Sequence, residues 1–320
     1  MTNLSIIIPN LNGEEFLPAC LESLKIAIDH TNIDAEIIMV DNASSDTSSE
    51  IFTTYCQKNK IKYRLIALTQ NYGFAGAVNR GVEVAKSDWV LVCNNDLKID
   101  KKWLFTINNV INNQNSKILN SKIAAITGTV LNYDASRFES QGLKFYYSGK
   151  CDNISNGKQF QESSLSNLES IPIWGASAAL TLYNKNIFQK IGGFDEDFFA
   201  YEEDVDLSLR LHNLGYTTLY VPEALSYHLG GATSSRMGNF RHRMDAKNWI
   251  YIILKNYSTS NLLIYSPFIL IERLRNLSGL IKNTPLKDIP RDVFKTYGEV
   301  IKNIPKTIKK RKEITSWQRY

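Results

Sequence analysis

Side chains that could bind a metal or a nucleotide stand at the end of an apolar run in this 320-residue chain. The run from Val90 to Cys93 is apolar and ends in Asn94, Asn95 and Asp96. A run of this kind indicates a buried central strand. In an open α/β sheet, ligands bind outside the carboxyl ends of the strands, so Asp96 is expected beside a metal or cofactor. The alternative is that these three residues only turn the chain after the strand.

The chain before this strand repeats the same arrangement three times. Residues 4–9, 36–41 and 63–68 are short apolar runs, each followed by a segment with helical spacing, and Asp41 ends the second run. Four such steps predict an α/β fold with a mostly parallel central sheet flanked by helices. The turn after the first run lacks G-x-G-x-x-G and a phosphate-binding lysine, and Pro9 stands there instead. The strand ends therefore favour a nucleotide base, a ribose and a hard metal ion over a bare pyrophosphate loop.

Acidic residues are concentrated among aromatic residues between 195 and 206. Carboxylates at the start of a helix are favoured by the helix dipole, and Asp206 and Arg210 have the spacing of a simple ion pair. That structural explanation does not account for the neighbouring Phe198, Phe199 and Tyr201. A carboxylate beside aromatic walls is partly desolvated, which raises its pKa as a general base requires.

Two further segments admit both a structural and a functional interpretation. His228 ends an apolar stretch and could be either a satisfied structural residue or a metal ligand beside Asp96. Trp174, Gly175 and Ala176 begin a run of small residues, where a tryptophan could stack on a sugar or simply pack against glycine.

The charge of the chain is uneven. The formal net charge is +5, but residues 241–320 carry 17 Lys and Arg against 6 Asp and Glu, whereas the 240 residues before them carry 20 against 26. The four cysteines are scattered without metal-ligand spacing, which is typical of packing thiols in a reducing compartment. The first residues lack a basic region and a small-residue cleavage site, so we expect a cytoplasmic protein.

The ordered motifs resemble those of the family 2 glycosyltransferases of the GT-A fold, and in particular a rhamnosyltransferase-like branch that builds bacterial polysaccharides. The resemblance covers roughly residues 4–232. The motifs that carry it are residues 5–12 (SIIIPNLN), 40–46 (VDNASSD), 71–81 (NYGFAGAVNRG), 94–96 (NND), 192–196 (GGFDE) and 203–207 (EDVDL).

The resemblance implies an inverting transferase that moves a sugar from a nucleoside diphosphate to a glycan or a lipid-linked glycan. Asp204 would be the catalytic base, and Asp96 and His228 would bind the metal. The acceptor side would be lined by Trp174, Gly175, Ala176 and Glu203. The nucleotide would be bound by Pro9, Asn10, Asp41, Asn71, Gly76, Asn79, Asn94 and Asn95, with Asp41 on the pyrimidine base.

The metal expected at this site is Mn²⁺ or Mg²⁺, because oxygen ligands with one imidazole suit these ions. Asn94 replaces the usual first acid of the family's D-x-D motif, so the donor phosphate would have to complete the metal shell. The donor favoured by the branch is dTDP-rhamnose. A UDP-hexose is the alternative, since uracil and thymine present the same hydrogen-bonding edge.

The last 85 residues are predicted to be a helical, basic extension. We expect a GT-A domain over residues 1–235, with a nucleotide-binding half to about residue 100 and an acceptor half after it, and the extension over 236–320. The basic cluster at 306–312 could be a solvated helix end or a peripheral contact with anionic lipid at the inner face of the membrane. Nucleic acid is not expected, because no aromatic residues are interleaved with the cluster. The oligomeric state stays open, with a dimer as one option.

Two other functional classes are less consistent with the sequence. A nucleotidyltransferase should carry a glycine-rich phosphate loop near its first strand, which this chain lacks. A non-catalytic sugar-binding or lipid-binding partner in an assembly complex remains an alternative because of Asn94.

Overall fold

The computed structural model describes residues 3–31, 33–112, 122–165, 168–229 and 238–317. Strands and helices alternate in the first part of the chain, as the apolar runs predict. These elements are β1 (Asn3–Asn10), α1 (Leu17–Thr31), β2 (Asp34–Asp41), α2 (Ser48–Lys58), β3 (Lys62–Ala67), α3 (Gly73–Val84) and β4 (Trp89–Cys93).

The middle of the chain is richer in short strands. Its elements are β5 (Leu97–Ile99), α4 (Trp103–Asn112), β6 (Ile123–Asn132), β7 (Phe138–Ser140), β8 (Leu143–Tyr146), β9 (Lys150–Asn153), β10 (Ile171–Ile173), β11 (Leu180–Asn184), α5 (Lys185–Lys190), α6 (Glu203–Asn213) and β12 (Thr217–His228). Three long helices follow, α7 (Phe240–Asn256), α8 (Thr259–Lys282) and α9 (Ile289–Trp317). The expected boundary at residues 235 and 236 lies outside the described residues.

Most of the strands form one mixed sheet in the order β10-β12-β6-β11-β4-β1-β2-β3. The short strand β5 pairs with β12, and the short strand β7 pairs with β6. β1 to β4 are parallel, whereas β11 runs antiparallel between β4 and β6. The prediction of an α/β fold with a central sheet flanked by helices is confirmed, and the sheet is parallel over β1 to β4 but mixed beyond them. The antiparallel strand β11 lies beside β4, which is the last strand of the repeating strand-helix pattern in the sequence.

The central strands are buried because both faces of the sheet are covered. Ile6 and Ile8 of β1 pack into a core with α1 and α2, while Ile7 points to the opposite core, which includes residues of α3. Alternation along a strand sends successive side chains to opposite faces, so a continuous apolar run is needed where both faces are packed. The polar residues that follow these runs are thereby placed at one edge of the sheet.

The C-terminal helices pack onto the sheet domain. Trp249 and Ile252 of α7 share an apolar cluster with Val205 of α6 and with Val300 of α9. Lys255 of α7 forms buried ion pairs within this interface. The extension is therefore built into the same packed structure as the helix that carries Asp204.

Candidate active site

A cavity of about 560 Å³ opens at the carboxyl ends of β1 and β4. Its volume lies within the range of cavities that hold small-molecule ligands. Asp96, Asp204 and His228, which are far apart in the chain, all line it. Six further residues to which the family resemblance gives a nucleotide or acceptor role also line it: Pro9, Asn10, Asn71, Asn94, Asn95 and Glu203.

One end of the cavity is built from amides at the strand ends. Asn95 Nδ2 donates to Asn10 Oδ1 over 2.8 Å, and Asn10 Nδ2 donates to Asp41 Oδ1 over 3.1 Å. Gly13 permits this arrangement, because a Cβ there would lie 2.2 Å from Asn95 Nδ2. Asp41 is buried behind Asn10 and also accepts a hydrogen bond from the Ser44 hydroxyl. Asp41 therefore orients Asn10 and is not itself among the described residues that line the cavity.

Asn79 and Gly76 lie outside the described lining of the cavity. Asn79 is on α3, where its Nδ2 donates to Phe194 O over 2.8 Å and its Oδ1 accepts from Phe194 N over 3.0 Å. The predicted nucleotide contact does not match the position of Asn79, whose side-chain amide binds the backbone of Phe194 before α6, whereas that of Gly76 stays a prediction. Asn71 does line the cavity, and its Oδ1 accepts from Gly73 N.

Strand pairing brings the two predicted metal ligands together. Asp96 immediately precedes β5, and β5 pairs with the end of β12 so that Leu97 lies opposite His228. His228 Nε2 is 3.1 Å from Asp96 Oδ1, and His228 Nδ1 is 2.6 Å from Glu139 Oε1. Burial alone would lower the pKa of His228, but the hydrogen bonds and charges of Asp96 and Glu139 raise it to about 10.

The donor atoms of this pair fit a hard divalent cation. A carboxylate oxygen and an imidazole nitrogen are ligands that such ions accept, and a bound cation would replace the proton that His228 Nε2 shares with Asp96 Oδ1. Glu139 would hold the other ring nitrogen, as outer carboxylates do for metal-bound histidines. Asn94 Oδ1 is buried and has no hydrogen-bond partner among the described residues, so a ligand could supply one. Among those residues no group of three acidic, histidine or cysteine side chains forms a complete metal site, so other ligands would have to come from the donor and water.

Asp204 stands in the first turn of α6 and lines the cavity. Its Oδ2 accepts from Ala178 N over 3.0 Å, and its Oδ1 accepts from Val205 N over 2.8 Å. Burial raises the pKa of Asp204, although these amide hydrogen bonds partly oppose the effect. A held carboxylate with a raised pKa is suited to accept a proton from a bound hydroxyl.

Glu203 is a second buried acid in the cavity wall. Its Oε2 has no hydrogen-bond partner among the described residues. Burial and then the charge of Asp204 raise its pKa well above the usual value for glutamate. A buried acid in this position could hydrogen-bond a sugar hydroxyl, and its place on the acceptor side stays a prediction.

The backbone before α6 is held in an unusual conformation. Phe199, Tyr201 and Glu202 have φ angles of 66°, 67° and 66°, in the left-handed region that non-glycine residues rarely adopt. Asn248 of α7 is fully buried, and its Nδ2 donates to Phe198 O, Ala200 O and Tyr201 O at 3.1, 2.9 and 2.7 Å. Strain of this kind persists only where the surroundings impose it, and it clusters at functional sites.

The predicted acceptor residues 174–176 take a different position. Trp174 stacks between Phe145 and His212, with ring centroids 4.8 and 4.6 Å away. Gly175 packs against Ser208, where a Cβ would lie 2.5 Å from the serine side chain. None of residues 174–176 is among the described residues that line the cavity. The first lining residue in this segment is Ser177. The prediction that they line the acceptor side therefore does not match the structure, because aromatic partners surround Trp174.

Several lining residues escape sequence reasoning. Glu139 lies in β7, beyond the repeating strand-helix pattern of the first part of the chain, and no motif in the sequence marks it. Phe240 and Arg241 come from α7, and they line the cavity beside Tyr201. The ring centroids of Phe240 and Tyr201 are 6.2 Å apart, and the Arg241 guanidinium lies 5.6 Å from the Tyr201 ring centroid. No periodicity in the sequence predicts that a basic C-terminal helix returns to the site.

The fold and this cavity define a class of enzymes that bind nucleotide sugars at the edge of a GT-A sheet. The family model described as "Glycosyl transferase family 2" matches residues 5–192, and that of "Glycosyl transferase family group 2" matches residues 101–287. The chain belongs to glycosyl transferase family 2 and is a nucleotide-sugar-dependent glycosyltransferase.

A curated relative covers most of the chain. The low-salt glycan biosynthesis hexosyltransferase Agl10 of Haloferax volcanii is 25% identical in an alignment of length 282 that covers 82% of this chain and 82% of that protein.

Solved structures support the same fold. GalNAc-T7, solved with UDP, GalNAc and Mn²⁺, aligns with a TM-score of 0.62 and 14% identity over 99% of this chain and 58% of that one. The mannosyltransferase PcManGT of Pyrobaculum calidifontis, solved with GDP-Man and Mn²⁺, aligns with a TM-score of 0.53 and 13% identity. The alignment covers 98% of this chain and 85% of that one. At these identities the likeness shows the GT-A fold.

Proposed function

We propose that this chain transfers a hexose, with L-rhamnose from dTDP-rhamnose as the favoured donor, to a glycan or lipid-linked glycan, with inversion at the anomeric carbon. The observation that carries the proposal is that Asp96, His228 and Asp204 open into one cavity. A diphosphate held near Asp96 and His228 could therefore present its sugar toward Asp204. A UDP-hexose is the alternative donor.

In the proposed reaction, Asp204 has a different role from Asp96 and His228. The acceptor oxygen attacks the anomeric carbon, the bond from that carbon to the diphosphate oxygen breaks, and Asp204 takes the acceptor proton. Asp96 and His228 would hold Mn²⁺ or Mg²⁺, which when bound neutralises charge on the departing diphosphate. Asn10 and Asn95 lie at the strand ends where the nucleotide would bind, and Asp41 keeps Asn10 in place.

The acceptor side is proposed to include residues of α7 in place of residues 174–176. Tyr201 and Phe240 supply aromatic surfaces of the kind that pack against sugar rings. Glu203 supplies a buried polar group that lacks a described partner. Arg241 adds a cation on this side, which suits an acceptor with a phosphate, as lipid-linked saccharides have.

A thermal-shift screen of nucleotide sugars tests the donor and the metal together. Each of dTDP-rhamnose, UDP-hexoses and GDP-mannose is added with and without Mn²⁺. A ligand at 100 times its Kd stabilises the folded chain by about 2.7 kcal/mol, which a melting curve detects. We expect one class of donor to raise the melting temperature, and to do so only when Mn²⁺ is present. The same donor should release nucleoside diphosphate. If no donor stabilises the chain, or if the stabilising donor is never cleaved with any glycan acceptor, the proposal fails.

A further inference from the structure

One side of α8 is apolar and uncovered. Leu263, Ile264, Phe268 and Leu274 have exposed fractions of 73%, 64%, 58% and 55%. Helical spacing places them on one face over about three turns. Contiguous apolar patches on soluble proteins mark sites of interaction with partners or membranes.

The following helix presents a second exposed apolar stripe with a basic border. Phe294, Ile301 and Ile308 of α9 repeat every seven residues and are 79%, 69% and 42% exposed. Lys295, Lys302 and Lys309 follow them one position later, and no ion pair among the described residues involves these lysines. Apolar residues bordered by lysine are typical of helices that lie in the membrane interface.

The structure divides the basic cluster at 306–312 into two groups. Lys306 pairs with Asp197, and Lys310 pairs with both Asp195 and Asp197, so these two lysines fasten α9 to the segment before α6. The interpretation of the whole cluster as a lipid contact is therefore wrong for Lys306 and Lys310. Lys309 and Lys312 are the exposed lysines of the cluster that form no ion pair with a described residue, and the exposed Lys302 precedes them on α9.

Acidic side chains between residues 259 and 312 have partners within the chain. Glu272 pairs with Arg275, Asp288 with Arg291, and Glu299 with Lys247 of α7. Asp292 is buried and accepts a hydrogen bond from Asn239. Within residues 259–312, the exposed charges that border the apolar residues and form no ion pair with a described residue are therefore basic.

We propose that α8 and α9 are a docking surface for an anionic lipid bilayer, in which their exposed apolar side chains enter the interface and the lysines bind lipid headgroups. No described helix is long and apolar enough to cross a membrane. A second copy of this chain fits the surface less well, because a twofold interface would set lysines against lysines. Each Lys near an anionic leaflet adds to binding, so the charge pattern matches lipid.

Cosedimentation of the full chain with vesicles tests this docking surface. The vesicles are neutral phosphatidylcholine, or phosphatidylcholine with phosphatidylglycerol. The apolar variant is F294Q/I301Q, and the charge variant is K295Q/K302Q/K309Q. Matched controls are I26Q/F105Q, at apolar side chains of α1 and α4 that are 47% and 46% exposed, and K58Q/K86Q/K190Q, at exposed lysines of the sheet domain.

We expect the unmodified chain and both controls to bind the anionic vesicles, with weaker binding to the neutral ones. Each α9 variant should lower the affinity for anionic vesicles by about tenfold or more, because it removes buried apolar area or lysine contacts with headgroups. Circular dichroism melting of each variant checks that the fold is kept. The proposal is overturned if the unmodified chain does not bind anionic vesicles, or if its affinity is unchanged in folded α9 variants. It is also overturned if F294Q/I301Q converts a dimer in solution into monomers without changing vesicle binding.

Discussion

Asp204 combines the properties that a general base needs at one residue. It lines the cavity, its carboxylate is held by the amides of Ala178 and Val205, and burial raises its pKa. A base with a raised pKa takes a proton more readily once it is ionised. Asp195, only nine positions earlier, has a lowered pKa instead. Burial would raise its pKa, but the charges of Lys255 and Lys310 hold it well below the usual range.

The first prediction concerns the pH dependence of transfer. Asp204 must be ionised to accept a proton, so activity is full above its pKa and falls as pH decreases through that value. Since burial raises this pKa, the acid limb of kcat should lie above pH ~3.9, the ordinary value for aspartate. The measurement is kcat against pH at saturating donor, with tryptophan fluorescence at each pH to exclude unfolding. A kcat that stays constant down to pH ~4 in a folded chain would contradict the assignment.

Sequence reasoning located some site residues and misplaced others for physical reasons. Asp96 follows a long apolar run, so its place at the sheet edge could be predicted from one strand. The sequence could name His228 as a possible metal ligand with Asp96 but could not place it there, because the pairing of β5 with β12 is not visible in local periodicity. Trp174 was misplaced because a tryptophan beside small residues has the same local signal whether it faces a ligand or the rings of Phe145 and His212.

At the scale of elements, α7 supports the strained loop that leads into α6. Asn248 donates hydrogen bonds to three carbonyl groups of this loop, those of Phe198, Ala200 and Tyr201. Gly73 allows the loop after β3 to approach from the other side, since a Cβ there would lie 2.2 Å from Phe199 O. The helical pattern of α7 is visible in the sequence, but its contact with residues 198–201 depends on tertiary packing.

The second prediction is that Asn248→Ala disturbs the site as well as the stability of the fold. Loss of these buried hydrogen bonds should cost about 1–3 kcal/mol of unfolding free energy. Because the loop then relaxes and Asp204 shifts, kcat should fall by about tenfold or more while the KM for donor changes little. Urea denaturation and steady-state kinetics measure the two effects.

Asn303→Ala is the matched control for this variant. Its side chain donates to Tyr251 Oη over 3.0 Å, and among the described residues it has no hydrogen bond to the loop. It should lower stability without lowering kcat. If Asn248→Ala loses stability but keeps its kcat in the folded state, Asn248 has only a structural role.

At the scale of the whole molecule, a buried ion network joins the C-terminal helices to the sheet domain. Lys255 Nζ lies 2.7 Å from Asp206 and 2.6 Å from Asp195, and Arg210 lies 2.8 Å from Asp206. The i,i+4 pair of Asp206 and Arg210 could be predicted from the sequence. Its completion by Lys255 could not, because that lysine is 49 positions away from Asp206 along the chain.

The third prediction is that Lys255→Met destabilises the entire chain. Asp206 and Asp195 would each lose a buried partner, and breaking such a network costs roughly 3–5 kcal/mol. Lys150→Met, which removes an exposed pair with Asp152, should cost less than about 1 kcal/mol. Urea unfolding followed by fluorescence and circular dichroism measures both variants. Equal losses in the two variants, or separate transitions for the sheet domain and for α7 to α9 in the unmodified chain, would contradict a network that unites them.

The central claim is that Asp204 acts on an acceptor within the cavity that Asp96 and His228 share. The most direct test compares Asp204→Asn with Asp152→Asn, a change to another carboxylate that lines the same cavity. Donor affinity is measured by calorimetry with Mn²⁺, and transfer is measured by nucleoside diphosphate release with acceptor. We expect Asp204→Asn to keep donor affinity and to lose transfer by ~10²-fold or more, while Asp152→Asn keeps both. Transfer by Asp204→Asn at a rate near that of the unmodified chain would contradict the account.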